Sequence, residues 1–227
     1  MKAIRTMIDY CRSPEEIFER SLAIIREEAD LSGYSPAMAA AATRMIHACG
    51  TVDILPRIAA SEGAAEAGIE ALRSGARIVC DGEMAERGVI RRLLPAANPV
   101  TCALSAGDAA GHARKIGNTR SAAGMELAAK HLPGAVAVIG NAPTALFHLL
   151  EMLDGGLAPP ALILGFPVGF VGAAESKEEL IARDGEVPYI TLTGRQGGSA
   201  IAAAALNALA FEATRQLKAT RQLKGGA

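Results

Sequence analysis

Tryptophan is absent from this chain, and aromatic residues make up only 4% of its 227 positions. A base-stacking surface for single strands therefore has almost no material to be built from. No uninterrupted apolar run approaches the roughly 18 residues that a membrane-spanning helix needs, and the N-terminal MKAIRTMIDYCRSPEE holds no apolar stretch of signal-peptide length. The four cysteines (Cys11, Cys49, Cys80, Cys102) form no C-x-x-C pair, and three of them sit inside apolar runs. A disulfide framework is not expected, and a reducing, cytoplasmic setting suits them. The four histidines, His47, His112, His131 and His148, have no zinc-ligand spacing. Asp81 and Glu83 read as a solvated turn or helix cap before they read as a Mg²⁺ site. With a net charge of -1 there is no electrostatic reason to expect nucleic acid or an anionic membrane as partner. No P-loop and no G-x-S-x-G elbow occur, and VIGNAPTAL carries one glycine where the dinucleotide fingerprint needs three. Neither a cofactor nor a bound metal is expected.

Half of the chain is hydrophobic, enough to bury one good core. The stretch from Val136 to Ser176 organises the rest: twice, a run of small and β-branched apolar residues ends at a glycine and gives way to a helix-forming segment. That change of period marks strand-loop-helix units and so a parallel sheet. Five strands are expected, at 76–80, 99–104, 135–139, 161–164 and 187–192, in an α/β fold preceded by helices. Ser13-Pro14-Glu15-Glu16 is a capping box that starts a helix whose buried stripe should be Phe18, Leu22, Ile25 and Ala29. Ser35-Pro36 starts a second helix that runs to Gly50, and a third is expected near Ser61 to Ser74. Residues 1–212 read as one domain. Residues 213–227, in which ATRQLK is repeated without change, read as a basic tail, frayed or disordered.

Ligands of such sheets bind beyond the carboxyl ends of the strands, so the strand exits carry the functional information. Several join glycine to a helix start, whose free N–H groups favour anions: Gly117-Asn118-Thr119-Arg120-Ser121, Gly140-Asn141-Ala142-Pro143-Thr144 and Gly194-Arg195-Gln196-Gly197-Gly198-Ser199. Arg120 and Arg195 add fixed positive charge beside two of them. The implied ligand is anionic and large enough to span several loops.

Taken in order and at their spacings, ERSLAIIREEADL, RMIHACGTVD, IGNTRSAAGMEL, VIGNAPTALFHLLEML, LGFPVGFVGAAESKEEL and GGSAIAAAALNALA resemble the precorrin-8X methylmutase family of cobalamin biosynthesis, over roughly Ile17 to Ala210. The resemblance implies a flavodoxin-like three-layer sandwich and a homodimer. It implies an isomerase that moves a methyl group from ring carbon 11 to ring carbon 12 of precorrin-8X, or of cobalt-precorrin-8. His47 matches the family's catalytic histidine, and Ser21 a substrate-contacting serine. Arg120 is the best candidate clamp for a substrate carboxylate, with Arg44 and Arg195 weaker candidates. Thr119, Ser121, Asn141, Thr144, Gly197 and Gly198 complete the expected contacts at the strand exits. A polycarboxylate macrocycle agrees with the glycine-lined helix starts, and a methyl migration needs no nucleotide or redox centre. A non-catalytic corrinoid-binding protein and a nucleotide-binding transferase of the same fold are the alternatives. His148, in an apolar helix, reads as structural.

Overall fold

The computed structural model describes residues 8–225. Helices α1 (Pro14–Glu28) and α2 (Pro36–Cys49) begin where their sequence signals lie, with the Ser13 and Ser35 side chains accepting the amide hydrogens of Glu16 and Met38. A 3₁₀ turn (Val52–Arg57) leads into strand β1 (Ile58–Ala60), followed by α3 (Ala64–Arg73), β2 (Ile78–Cys80), α4 (Glu83–Gly88) and β3 (Val100–Cys102). Then come α5 (Ala109–Ile116), α6 (Arg120–Leu127), β4 (Val136–Ile139), α7 (Pro143–Asp154), β5 (Leu162–Gly165), α8 (Ala173–Ala182), β6 (Tyr189–Leu192) and α9 (Ser199–Gly225).

The strands form one sheet in the order β1-β6-β5-β4-β2-β3. The five expected strands are all present and parallel to one another, and without β1 their spatial order is that of a flavodoxin-like doubly wound sheet. A sixth strand corrects the expected five: β1 pairs antiparallel with β6, Ile58 opposite Leu192. Its three residues, Ile-Ala-Ala, are too few to show a strand period, which is why the sequence concealed it.

Alternation along the strands divides the core into two layers. Ile78, Cys80, Val136, Val138, Leu162, Leu164 and Ile190 face α1, α2, α3 and α9, whereas Val79, Ala137, Ile139, Ile163 and Tyr189 face α6, α7 and α8. Small residues let the layers close tightly. A Cβ on Gly140, at the exit of β4, would stand 2.7 Å from Ser199 Cα, so α9 starts hard against that strand end. The four cysteines are free thiols, and Cys80 and Cys102 are register partners on adjacent strands.

Two expectations need correction. Phe18 is not part of the buried stripe of α1; Leu22, Ile25 and Ala29 are, while Phe18 is 38% exposed. Nor does packing end at residue 212, because α9 continues to Gly225, Ala213 is fully buried, and the Thr214 hydroxyl donates to the Leu93 carbonyl at 2.8 Å. The first ATRQLK copy is thus built into the helix rather than frayed. Deleting residues 213–227 should lower stability by about 1–3 kcal/mol, from one lost hydrogen bond and the uncovered core, as read from the urea midpoint. A detached tail would leave the midpoint unchanged.

Candidate active site at the carboxyl edge of the sheet

The strand order reverses between β2 and β4, and there a doubly wound sheet opens a crevice. Asp81, the residue after β2, is fully buried in it. Its carboxylate accepts three consecutive amide hydrogens from the exit of β4: Gly140 at 3.0 Å on one oxygen, Asn141 and Ala142 at 2.9 Å each on the other. Burial pushes the Asp81 carboxyl above its usual range, and the three amides work in the opposite direction. The Gly140–Ala142 turn is therefore held by one side chain, which fixes the start of α7 and the positions of Asn141 and Thr144.

The neighbouring exit is tied to it directly. The hydroxyls of Thr119 and Thr144 lie 2.8 Å apart, and the Thr119 oxygen also caps α6 by accepting the Ala122 amide hydrogen. Helices α6 and α7 thus point their N-termini to the same edge, with exposed Arg120 and half-buried Ser121 in the first turn of α6. Free N–H groups and a guanidinium at one spot suit a carboxylate.

A third group comes from the exits of β5 and β6. The Gly198 amide donates to the Phe166 carbonyl at 2.8 Å and the Gly169 amide to the Arg195 carbonyl at 3.3 Å, so the two loops lie together. Only glycine fits at residue 197, where a Cβ would meet the Phe166 carbonyl oxygen and come within 2.6 Å of that of Pro167. The Arg195 guanidinium stands 5.3 Å over the ring of Phe170, whose side chain is 86% exposed. Lys177 of α8, fully buried, reaches the same loop and donates to the Gln196 carbonyl at 2.6 Å.

His47 belongs to the other layer. Helix α2 ends at Gly50 and its chain enters β1 beside the last residue of β6, so the turn carrying His47 lies toward the carboxyl edge. The imidazole is exposed and meets the Phe18 ring edge-on at 5.9 Å. Arg44 shares that ring, its guanidinium 5.2 Å above it, and its Nη1 is shielded from solvent with no hydrogen-bond partner among the described residues. Arg44 and Phe18, but not His47, line a cavity of about 630 Å³ between α1, α2 and α9, with Leu22, Leu93 and Phe211 as apolar walls, Arg26 and Arg92 as further cations, and Glu19 and Glu212 as acids. The Ser21 hydroxyl donates to the Ile17 carbonyl at 2.7 Å, one turn back in its own helix.

The expected residues thus form three sets. Thr119, Arg120, Ser121, Asn141 and Thr144 stand on the α6–α7 side, and Arg195, Gly197 and Gly198 over the middle of the edge. Ser21, Arg44 and His47 lie on the α1–α2 side, where no hydrogen bond or ion pair among the described residues links them to the others. The roles of Phe18, read as core, of Asp81, read as a turn or cap, and of Lys177 escaped the sequence reading. His148 is more engaged than an apolar helix suggested: its Nε2 lies 2.9 Å from Glu126 and its Nδ1 3.1 Å from Glu151, while His112 approaches the other Glu126 oxygen at 3.2 Å. Burial of Glu126 acts against its ionisation, but the two imidazoles hold the carboxyl below its usual range. Among the described residues no group of three or more His, Cys, Asp or Glu side chains is arranged to hold a metal ion.

A family model described as precorrin-8X methylmutase matches residues 16–212. The chain belongs to the precorrin-8X methylmutase family. It is 56% identical over 206 residues to a precorrin-8X methylmutase of Pseudomonas aeruginosa, covering 91% of this chain and 99% of that one. It is 36% identical to a cobalt-precorrin-8 methylmutase of Priestia megaterium, covering 87% and 88% of the two chains. Among solved structures, a precorrin-8X methylmutase from Thermus thermophilus superposes with a TM-score of 0.80 at 38% identity, over 89% of this chain and 97% of that one. In this member of the methylmutase family, Asp81→Asn would set an amide NH₂ against three N–H donors. We expect a loss of about 1.5–3 kcal/mol in urea unfolding and faster hydrogen exchange at Asn141 and Ala142. Unchanged exchange would show that the carboxylate does not hold the turn.

Proposed function

We propose that this methylmutase moves a methyl group from ring carbon 11 to ring carbon 12 of precorrin-8X, giving hydrogenobyrinate, with His47 as the proton donor. The observation that carries this reading is the place of His47: solvent-accessible, on the last turn of α2, held edge-on against Phe18 at the ligand-binding edge of a doubly wound sheet. Protonating the conjugated ring system draws electron density away from the carbon that receives the methyl; the methyl leaves ring carbon 11 with its bonding pair and bonds to ring carbon 12, and the barrier to migration falls. The proton returns to the imidazole once the methyl has moved, so the reaction is a rearrangement with no net change in atoms or electrons.

Arg120, Arg195 and Arg44 are proposed to receive the peripheral acetate and propionate groups. The hydroxyls of Thr119, Thr144 and Ser121, the Asn141 side chain and the amides of Gly197 and Gly198 supply neutral contacts between them. Ser21 takes part by turning its hydroxyl from the Ile17 carbonyl to the substrate. The metal-free substrate is favoured over cobalt-precorrin-8 by the higher identity to relatives named for precorrin-8X, 56% and 52%, than to several named for the cobalt form, 35% to 40%.

The α6–α7 and α1–α2 residues stand on opposite layers, which supports a homodimer in which a second copy helps to close the site. Exposed Phe170 and Val171, 86% and 88% accessible at the same edge, are apolar surface for such a contact. Among the described residues no helix is long and apolar enough to cross a membrane, and the free thiols suit the cytoplasm.

Incubation with precorrin-8X, followed by the visible spectrum, tests the acid role, because moving the methyl changes ring conjugation. His47→Ala should still bind the macrocycle while turnover falls by roughly 100-fold to 10,000-fold. Full turnover in that variant would remove His47 from the chemistry, and intact binding without turnover would separate the enzyme from a mere corrinoid carrier. In sedimentation, we expect the chain to run at twice its own mass.

A further inference from the structure

Lys177 has no role in the chemistry described above, and its setting is unusual for a lysine. It is fully buried, on the second turn of α8, and among the described residues its only hydrogen-bond acceptor is the Gln196 carbonyl, 2.6 Å from Nζ. Burial disfavours the charge and pushes the ammonium down to about 8. An apolar chain of equal length would pack there without that cost. The contribution of the side chain therefore lies in what it holds rather than in stability.

What it holds is the loop between β6 and α9. That loop is wedged on one side against the β5 exit, through the Gly198 amide on the Phe166 carbonyl and the glycine-only contact at residue 197. On another side the Arg57 guanidinium donates to the Gln196 side-chain oxygen at 2.9 Å. The Lys177 ammonium fastens the intervening peptide from below, at the carbonyl of the residue next to Arg195. The exposed Arg195 guanidinium, resting on Phe170, is thus mounted on a peptide fixed from three directions.

We propose that Lys177 is a positioning residue for substrate binding: by holding the Gln196 carbonyl it sets Arg195 and the amides of Gly197 and Gly198 where they meet a carboxylate of the macrocycle. The inference rests on the reading of Arg195 as a substrate clamp. Its direction is counter to an ordinary packing role, since removal of the ammonium should leave the fold as stable or make it more stable while substrate binding suffers.

The test compares Lys177→Met, Arg195→Gln and the double variant in the full-length protein, with precorrin-8X as substrate. Lys177→Met should keep or raise the urea midpoint, raise KM roughly 10-fold, and change kcat less than KM. Arg195→Gln should raise KM similarly, and the double variant should be no worse than the worse single one, because both changes act through one guanidinium. Lys177→Gln, which keeps a neutral donor, should fall between wild type and Lys177→Met; if the methionine variant does not fold, this variant carries the comparison. Wild-type KM in both Lys177 variants, or KM effects that multiply in the double variant, would overturn the positioning role. A KM effect of Arg195→Gln alone would leave the clamp standing and reject only the part given to Lys177, whereas no effect of Arg195→Gln would reject both.

Discussion

The carboxylate of Asp81, closed over three successive amides of the β4 exit, is the interaction on which the rest of the edge depends. A doubly wound sheet necessarily parts its helices where the strand order reverses, and the backbone leaving the two central strands is left with donors that no ladder satisfies. One buried acid answers three of them. From that turn follow the start of α7, the position of Thr144, and through the paired hydroxyls the start of α6 with Arg120. The order of the site is thus set by a residue that the substrate need not touch.

Two further fixings divide the work across the molecule. On the α6–α7 side, two imidazoles and two carboxylates bind α5, α6 and α7 to one another one to two turns below the edge. In the middle, glycine-only packing and a buried ammonium lock the loops after β5 and β6. On the α1–α2 side the arrangement is different in kind: an exposed phenylalanine carries a histidine edge and an arginine face, and the polar groups there are held by weak ring contacts. The rigid part of the edge suits recognition of fixed peripheral charges. The softer part suits a group that gives a proton and takes it back.

Much of this was legible beforehand because the signals are local. Apolar runs that end in glycine located the five parallel strands to within two residues at most ends, and Ser-Pro starts located α1 and α2. The strand exits then named Asn141, Thr144, Arg120 and Arg195 as edge residues without any knowledge of packing. What escaped were residues whose role is set by distant partners. Asp81 looked like a turn or cap residue, because nothing in Cys-Asp-Gly-Glu announces amides 60 residues away. Lys177, in Glu-Ser-Lys-Glu-Glu, looks like the charged face of a surface helix, and only the loop folded over it makes it interior. Phe18 kept the spacing of the core stripe of α1 but lies at its margin, where α2 presents Arg44 and His47 instead of an apolar neighbour.

The antiparallel strand β1 has an effect on the sheet as a whole. Both outermost strands, β1 and β3, are only three residues long, so each rim offers a ladder too brief to template another polypeptide. A sheet whose interior strands are almost entirely apolar would otherwise invite amyloid-like growth from its ends. Its truncated rims confine self-recognition to side chains and loops, where geometry can be selective.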